Sequence, residues 1–201
     1  ITSARTPFEL TTAKSIIKVE KTDEDTNKPI AGVTFQLKNQ AGTVVQNATT
    51  NEKGIATFSN LRPGKYIVVE TATNDNYILD TTENEVTVGY DTTITKELTN
   101  KHKEGNLKVY KVDADNNEIR LGNVQFDLYS VELDKIIGTY TTNVDGEIYI
   151  ENLRTGEYKL IEKNTGKWYN LAKDTEVKVE WNTDTETTVE NELKKGQVKV
   201  I

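Results

Sequence analysis

The chain contains no cysteine and no methionine among its 201 residues, and only one histidine, three prolines and two tryptophans. Without cysteine there is no disulfide, no thiolate metal site and no thiol nucleophile. Lacking methionine as well, the chain has little that oxidises readily, which fits an exposed extracellular setting. A lone histidine, His102, gives no support to zinc coordination or to a Ser-His triad. Excess positive charge is missing too: the formal net charge is -7 and the basic residues are scattered, which argues against nucleic acid or an anionic membrane as partner. No apolar run is long enough to span a bilayer. Neither a signal peptide nor a wall-sorting tail is present, so the chain reads as an excised ectodomain fragment. A hydrophobic fraction of 35% is low for one large core but sufficient for two small ones.

What the chain does have is short alternating runs of Val, Ile, Thr, Tyr and Phe, broken by Asn, Asp and Gly, and no sustained helical period. That pattern predicts an all-β sandwich. In the first half, strand-length runs lie at Val33 to Leu37, Ile55 to Phe58, Tyr66 to Val69, Glu85 to Val88 and Thr93 to Leu98. The most informative run is Ser15 to Asp23. Read with period two, Ile17, Val19 and Lys21 share one face, which places a lysine in line with core residues. Leu107, Val109 and Lys111 repeat the arrangement. An unpaired buried ammonium costs several kcal/mol, so a lysine put on a core face twice needs either a partner or a chemical use.

An internal repeat points to that partner. Asn51, Gly54, Asn60, Leu61, Arg62, Gly64, Tyr66 and Glu70 recur as Asn143, Gly146, Asn152, Leu153, Arg154, Gly156, Tyr158 and Glu162, each at an offset of 92. Two copies of one domain explain this. Expected boundaries are an unassigned segment at 1–14, a domain at 15–101, a linker at 102–104, a second domain at 105–194, and the start of a truncated third copy at 195–201. Tyr66, Val68 and Glu70 share a face, as do Tyr158, Leu160 and Glu162. Leu98 and Asn100 are in phase, and so are Val189, Asn191 and Leu193. Each copy therefore aims one Lys, one Glu and one Asn inward from three strands.

These motifs, in the same order twice, resemble the collagen-adhesin B-type (CnaB) domains of Gram-positive surface adhesins and pilins. The resemblance implies two tandem prealbumin-like, Greek-key β-sandwiches of reverse-immunoglobulin type. It also implies a spontaneous isopeptide bond in each, Lys21 to Asn100 with Glu70 as catalyst and Lys111 to Asn191 with Glu162 as catalyst. Burial disfavours charge on an amine and on a carboxyl, so such a pair can be neutral at pH 7. The neutral amine is then a nucleophile, and the protonated acid can hydrogen-bond the asparagine carbonyl and carry a proton to the departing ammonia. No cofactor and no metal are needed, and the chemistry happens once per domain, without turnover. The implied role is a monomeric stalk of a cell-wall-anchored protein outside a Gram-positive bacterium. Its partners would be neighbouring repeat domains, with host extracellular matrix contacted through other domains.

Other readings stay open. Lys21 and Lys111 can sit at strand ends and reach water, with Glu70 and Glu162 as plain salt-bridge partners. The acidic stretches Asp23 to Asn27 and Asp113 to Asn117 have calcium-loop character, but they lack the glycine at position six and the bidentate acid at position twelve, which favours a hairpin turn. Trp168, Tyr169 and Trp181 form a glycan-stacking platform, or else are buried or cover a strand edge. After each glutamate the sequence departs from the Ala-Pro-x-Gly-Tyr run frequent in the family, reading Thr71 to Tyr77 and Lys163 to Tyr169. Gly122-Asn123-Val124 marks one extra residue in the second copy, expected as a longer turn or a bulge.

Overall fold

A computed structural model describes residues 14–196 and residue 198 of the chain. The expectations for residues 1–13 and for most of the truncated third copy lie outside the described residues. The chain divides into two compact units, Ile1–His102 and Lys103–Ile201. The described residues form no helix.

The first unit holds β1 (Ser15–Asp23), β2 (Thr34–Asn39), β3 (Val44–Thr49), β4 (Ile55–Leu61), β5 (Gly64–Ala72), β6 (Asn84–Val88) and β7 (Thr93–Asn100). They make a three-stranded sheet, β4-β1-β7, and a four-stranded one, β3-β2-β5-β6. β1 and β7, the first and last strands, run parallel with Lys21 opposite Leu98 and Asp23 opposite Asn100. All other pairs are antiparallel. The second unit repeats this with β8 (Glu104–Asp113), β9 (Gln125–Ser130), β10 (Lys135–Thr141), β11 (Glu147–Arg154), β12 (Gly156–Asn164), β13 (Thr175–Val179) and β14 (Asp184–Asn191). Its sheets are β11-β8-β14 and β10-β9-β12-β13, with β8 and β14 parallel.

Alternation in the sequence becomes the two sides of each sheet. Along β1 the buried residues are Ser15, Ile17, Val19, Lys21 and Asp23, every second position, as a half-covered strand requires. Ile17 and Val19 enter a core with Phe35, Leu37, Phe58 and Val68; Leu107 and Val109 enter its counterpart with Phe126, Leu128, Ile150 and Leu160. β3 lies outside the expected runs. It is a sheet-edge strand with no fully buried side chain, so it shows no apolar face to read.

The repeated residues are the corners of this frame. Asn51 accepts the Lys53 and Ile55 amides on its side-chain oxygen, and Asn143 does the same for Asp145 and Glu147, each fixing the turn into the next strand. The Tyr66 and Tyr158 hydroxyls donate to the carbonyls of Arg62 and Arg154, four residues upstream. Gly54 adopts a left-handed φ of 72° beside β1, where a Cβ would lie 2.5 Å from the Lys21 carbonyl oxygen. Only glycine lets that turn pack against the strand carrying the lysine.

Two expectations change in detail. Of residues 102–104, read as a linker, His102 is buried and bridges to Tyr77, its ring 5.1 Å from the tyrosine ring and edge-on, while Glu104 already begins β8. The extra residue of the second copy is not at Gly122-Asn123-Val124. Gly32 and Asn123 hold equivalent places, their amides donating to the Thr50 and Thr142 carbonyls. The added residue lies earlier, in the turn that the Asp23 amide closes on Lys28 and the Asp113 amide closes on Ile119. It is a longer turn and not a bulge.

Candidate functional site

Each sandwich buries one lysine, one glutamate and one asparagine between its two sheets. Lys21 is 1% exposed, Glu70 3% and Asn100 1%; Lys111, Glu162 and Asn191 are 0%, 6% and 0%. The lysine comes from the first strand, the glutamate from the middle of the facing sheet, and the asparagine from the end of the last strand. In the parallel pairing the asparagine stands two residues beyond the lysine's partner, and a lysine side chain leaning along its strand covers that distance. All six residues expected from the sequence are thus brought together, three in each domain. Leu193, expected to face inward with Asn191, lies past β14 and is exposed.

In the first domain Lys21 Nζ lies 2.9 Å from Glu70 Oε2 and donates to the Thr99 carbonyl at 2.9 Å. The contact with Glu70 is close in distance without the alignment of a hydrogen bond. Asn100 Nδ2 donates to Glu70 Oε1 at 2.8 Å and to Thr73 Oγ1 at 3.1 Å. In the second domain Lys111 Nζ donates to the Val189 carbonyl at 3.0 Å and to Asn191 Oδ1 at 2.5 Å, with Glu162 Oε1 at 3.6 Å. Asn191 Nδ2 donates to Glu162 Oε1 at 3.0 Å and to Thr165 Oγ1. The Ala172 amide donates to Glu162 Oε2 at 2.5 Å. Burial pushes the Lys111 amine down from its ordinary value to about 8, against the opposing pull of Glu162.

This geometry revises one expectation about the glutamate. The mechanism implied by the resemblance sets the acid on the asparagine carbonyl; in both domains it faces the amide nitrogen instead. It stands between the amine and the nitrogen that would leave, the place for a proton carrier.

Two repeated contacts add to the residues expected from the sequence. Thr73 and Thr165 touch the asparagine nitrogens, and the Tyr77 and Tyr169 hydroxyls donate to Asp23 Oδ2 and Asp113 Oδ2 at 2.7 and 2.8 Å. The threonines and the tyrosines recur at the same offset of 92 that marks the eight identities, so the repeat held the signal. The other oxygens, Asp23 Oδ1 and Asp113 Oδ1, accept the amides of Asp25 and Thr26 and of Asp115 and Asn116. These acids cap the turn after the first strand. The Tyr169 hydroxyl and the turn amides hold the Asp113 carboxyl below its ordinary value.

The tryptophans are exposed, which counts against their burial. Trp168 is 66% exposed and Trp181 54%, with the Lys167 and Lys103 ammonium groups 4.5 Å from their ring centres.

Comparison with known proteins agrees with the architecture. The SpaA prealbumin-like fold domain matches twice, over residues 15–102 and 105–193. Serine-aspartate repeat-containing protein D of Staphylococcus aureus (strain NCTC 8325 / PS 47) is 30% identical over 193 residues, an alignment covering 76% of this chain. The chain spans 14% of that relative's length. The Bacillus anthracis TIE protein superposes with a TM-score of 0.71 at 26% identity, over 90% of this chain and 34% of that one.

Proposed function

Because the chain belongs to the SpaA prealbumin-like fold domain family, with two such domains in tandem, we propose that it is a covalently braced spacer in a Gram-positive surface protein. The observation that supports this most is the doubled buried triad, which ties the first strand of each domain to its last. In each domain the lysine Nζ attacks the asparagine Cγ, a new Nζ–Cγ bond forms and the Cγ–Nδ2 bond breaks. The glutamate takes a proton from the amine and delivers one to Nδ2, which leaves as ammonia. Folding supplies proximity, for which effective molarities of ~10^5 M and above are known in well-oriented intramolecular reactions. The product also removes a buried ammonium, whose burial otherwise costs several kcal/mol.

A stalk needs such links where tension enters and leaves. With Lys21 joined to Asn100 and Lys111 to Asn191, a pull along the chain crosses each domain through one amide and bypasses the residues between. Stretching the full chain by single-molecule force spectroscopy tests this. The unmodified protein should show no domain-sized unfolding step, while Glu70→Ala and Glu162→Ala variants should each release about 80 residues at up to ~3.3–3.6 Å apiece. Two such steps in the unmodified protein, at forces typical of uncross-linked sandwiches, would contradict the proposal. A glycan-binding role for Trp168 and Trp181 has their exposure in its favour, although a lysine already lies against each ring.

A further inference from the structure

We infer that Thr73 and Thr165 are positioning residues for the cross-linking reaction, holding the leaving nitrogen of the asparagine so that its free electron pair turns toward the glutamate. The inference rests on the cross-link reading above and extends it to a fourth side chain in each domain.

Thr73 stands three positions after Glu70, and Thr165 three after Glu162, a spacing that on a regular strand would put the two side chains on opposite faces. The pairing breaks that rule in the same place twice. Phe35 faces Glu70 but Thr34 faces Ala72, and Phe126 faces Glu162 but Gln125 faces Asn164, so Thr71 and Lys163 are each an extra residue in the ladder. Such a bulge shifts the alternation by one and re-aims the side chains beyond it. The threonine hydroxyl thereby returns to the glutamate's side and reaches the asparagine amide.

An amide nitrogen carries two hydrogens, and here both are directed, one to the glutamate Oε1 and one to the threonine Oγ1. When Nζ adds to Cγ, Nδ2 becomes pyramidal and gains a lone pair that must be protonated before it can leave. Once Nζ has added, Cγ–Nδ2 is a single bond, and a turn about it that leaves one hydrogen on the threonine carries the other off Glu Oε1 and puts the lone pair in its place, facing the acid. Threonine exchanges no proton with the asparagine, and its role is to orient the nitrogen that does.

The test is a time course of intact mass on full-length protein released from cell-free synthesis, comparing the parent with Thr73→Val, Thr73→Ser, Thr165→Val and Thr165→Ser. The valine variants should lose the affected ammonia about tenfold more slowly, the value of one hydrogen bond in the transition state, and serine should restore the parent rate. Rates count only for chains with a cooperative melt, and Thr→Ala variants serve if the valine forms do not fold. Valine variants as fast as the parent, or serine as slow as valine, would overturn the inference and leave the cross-link reading standing. A parent that loses no ammonia would instead overturn the cross-link reading itself.

Discussion

The two domains place the same three residues on the same strands and join them differently. In the first, the carboxylate divides its work: Oε2 faces the amine at 2.9 Å and Oε1 receives the amide nitrogen at 2.8 Å. In the second, the Ala172 amide holds Oε2, and Oε1 alone serves the amide nitrogen at 3.0 Å and the more distant amine at 3.6 Å. Lys111 turns to the asparagine oxygen, 2.5 Å away, whereas Asn100 Oδ1, equally buried, has no hydrogen-bond partner among the described residues. The first site is arranged as an ion pair and the second as an amine drawn up to its electrophile. Offset 92 puts Asp80 in the place of Ala172. A carboxylate stands there, held below its ordinary value by the Thr82 hydroxyl and amide, with a weaker attraction to Lys21. At this loop position the two domains differ by one negative charge.

Removing the glutamates should break both domains hardest, and unequally. Glu70→Ala forfeits the cross-link and strands a buried amine, a loss of about 3–5 kcal/mol for breaking a buried pair on top of the link. Glu162→Ala additionally orphans the Ala172 amide, so its domain should melt lower still. Lys21→Met and Lys111→Met lose the link and strand a carboxylate instead, but one that keeps its hydrogen bond from the asparagine nitrogen. Each proposed link would close a loop of about 80 residues, worth roughly 4–5 kcal/mol on the chain-entropy model. Calorimetry of the four variants should rank glutamate below lysine in each domain; the reverse order would mean that a stranded carboxylate costs more than a stranded amine.

A smaller effect depends on pH. In Asn191→Ala the Lys111 amine stays free. The unfolded chain keeps it protonated to about 10.5, whereas the folded domain gives up the proton at about 8. Folding therefore expels a proton between these values, and stability rises with pH across that window and is lowest below it. The melting midpoint of the second domain should climb over that range in Asn191→Ala and stay flat when Lys111→Met is added. A flat profile in both would contradict a depressed amine.

The smallest expected effect is kinetic. Asp80→Ala removes a negative charge that attracts Lys21 and should speed formation of the first link in a mass time course, while Ala172→Asp should slow the second. No change in either rate would remove this loop position from the explanation.

Much of this is legible in the sequence because the buried triad residues obey period two. Lys21, Glu70 and Asn100 each sit in phase with apolar neighbours, and the second copy repeats them. Thr73 and Thr165 are marked by the repeat but not by period two, because a bulge changes the phase between them and the glutamates and strand arithmetic cannot see an extra residue. Strand β3 is hidden for another reason: an edge strand without a buried face has no apolar pattern. Which side of the carboxamide the acid takes depends on side-chain direction, which no spacing records.

Intact mass of the purified, unmodified chain tests the central claim most directly. Two formed links predict a mass below that of the sequence by two molecules of ammonia, with one restored in Glu70→Ala, one in Glu162→Ala and both in the double variant. A mass equal to that of the sequence would contradict the account.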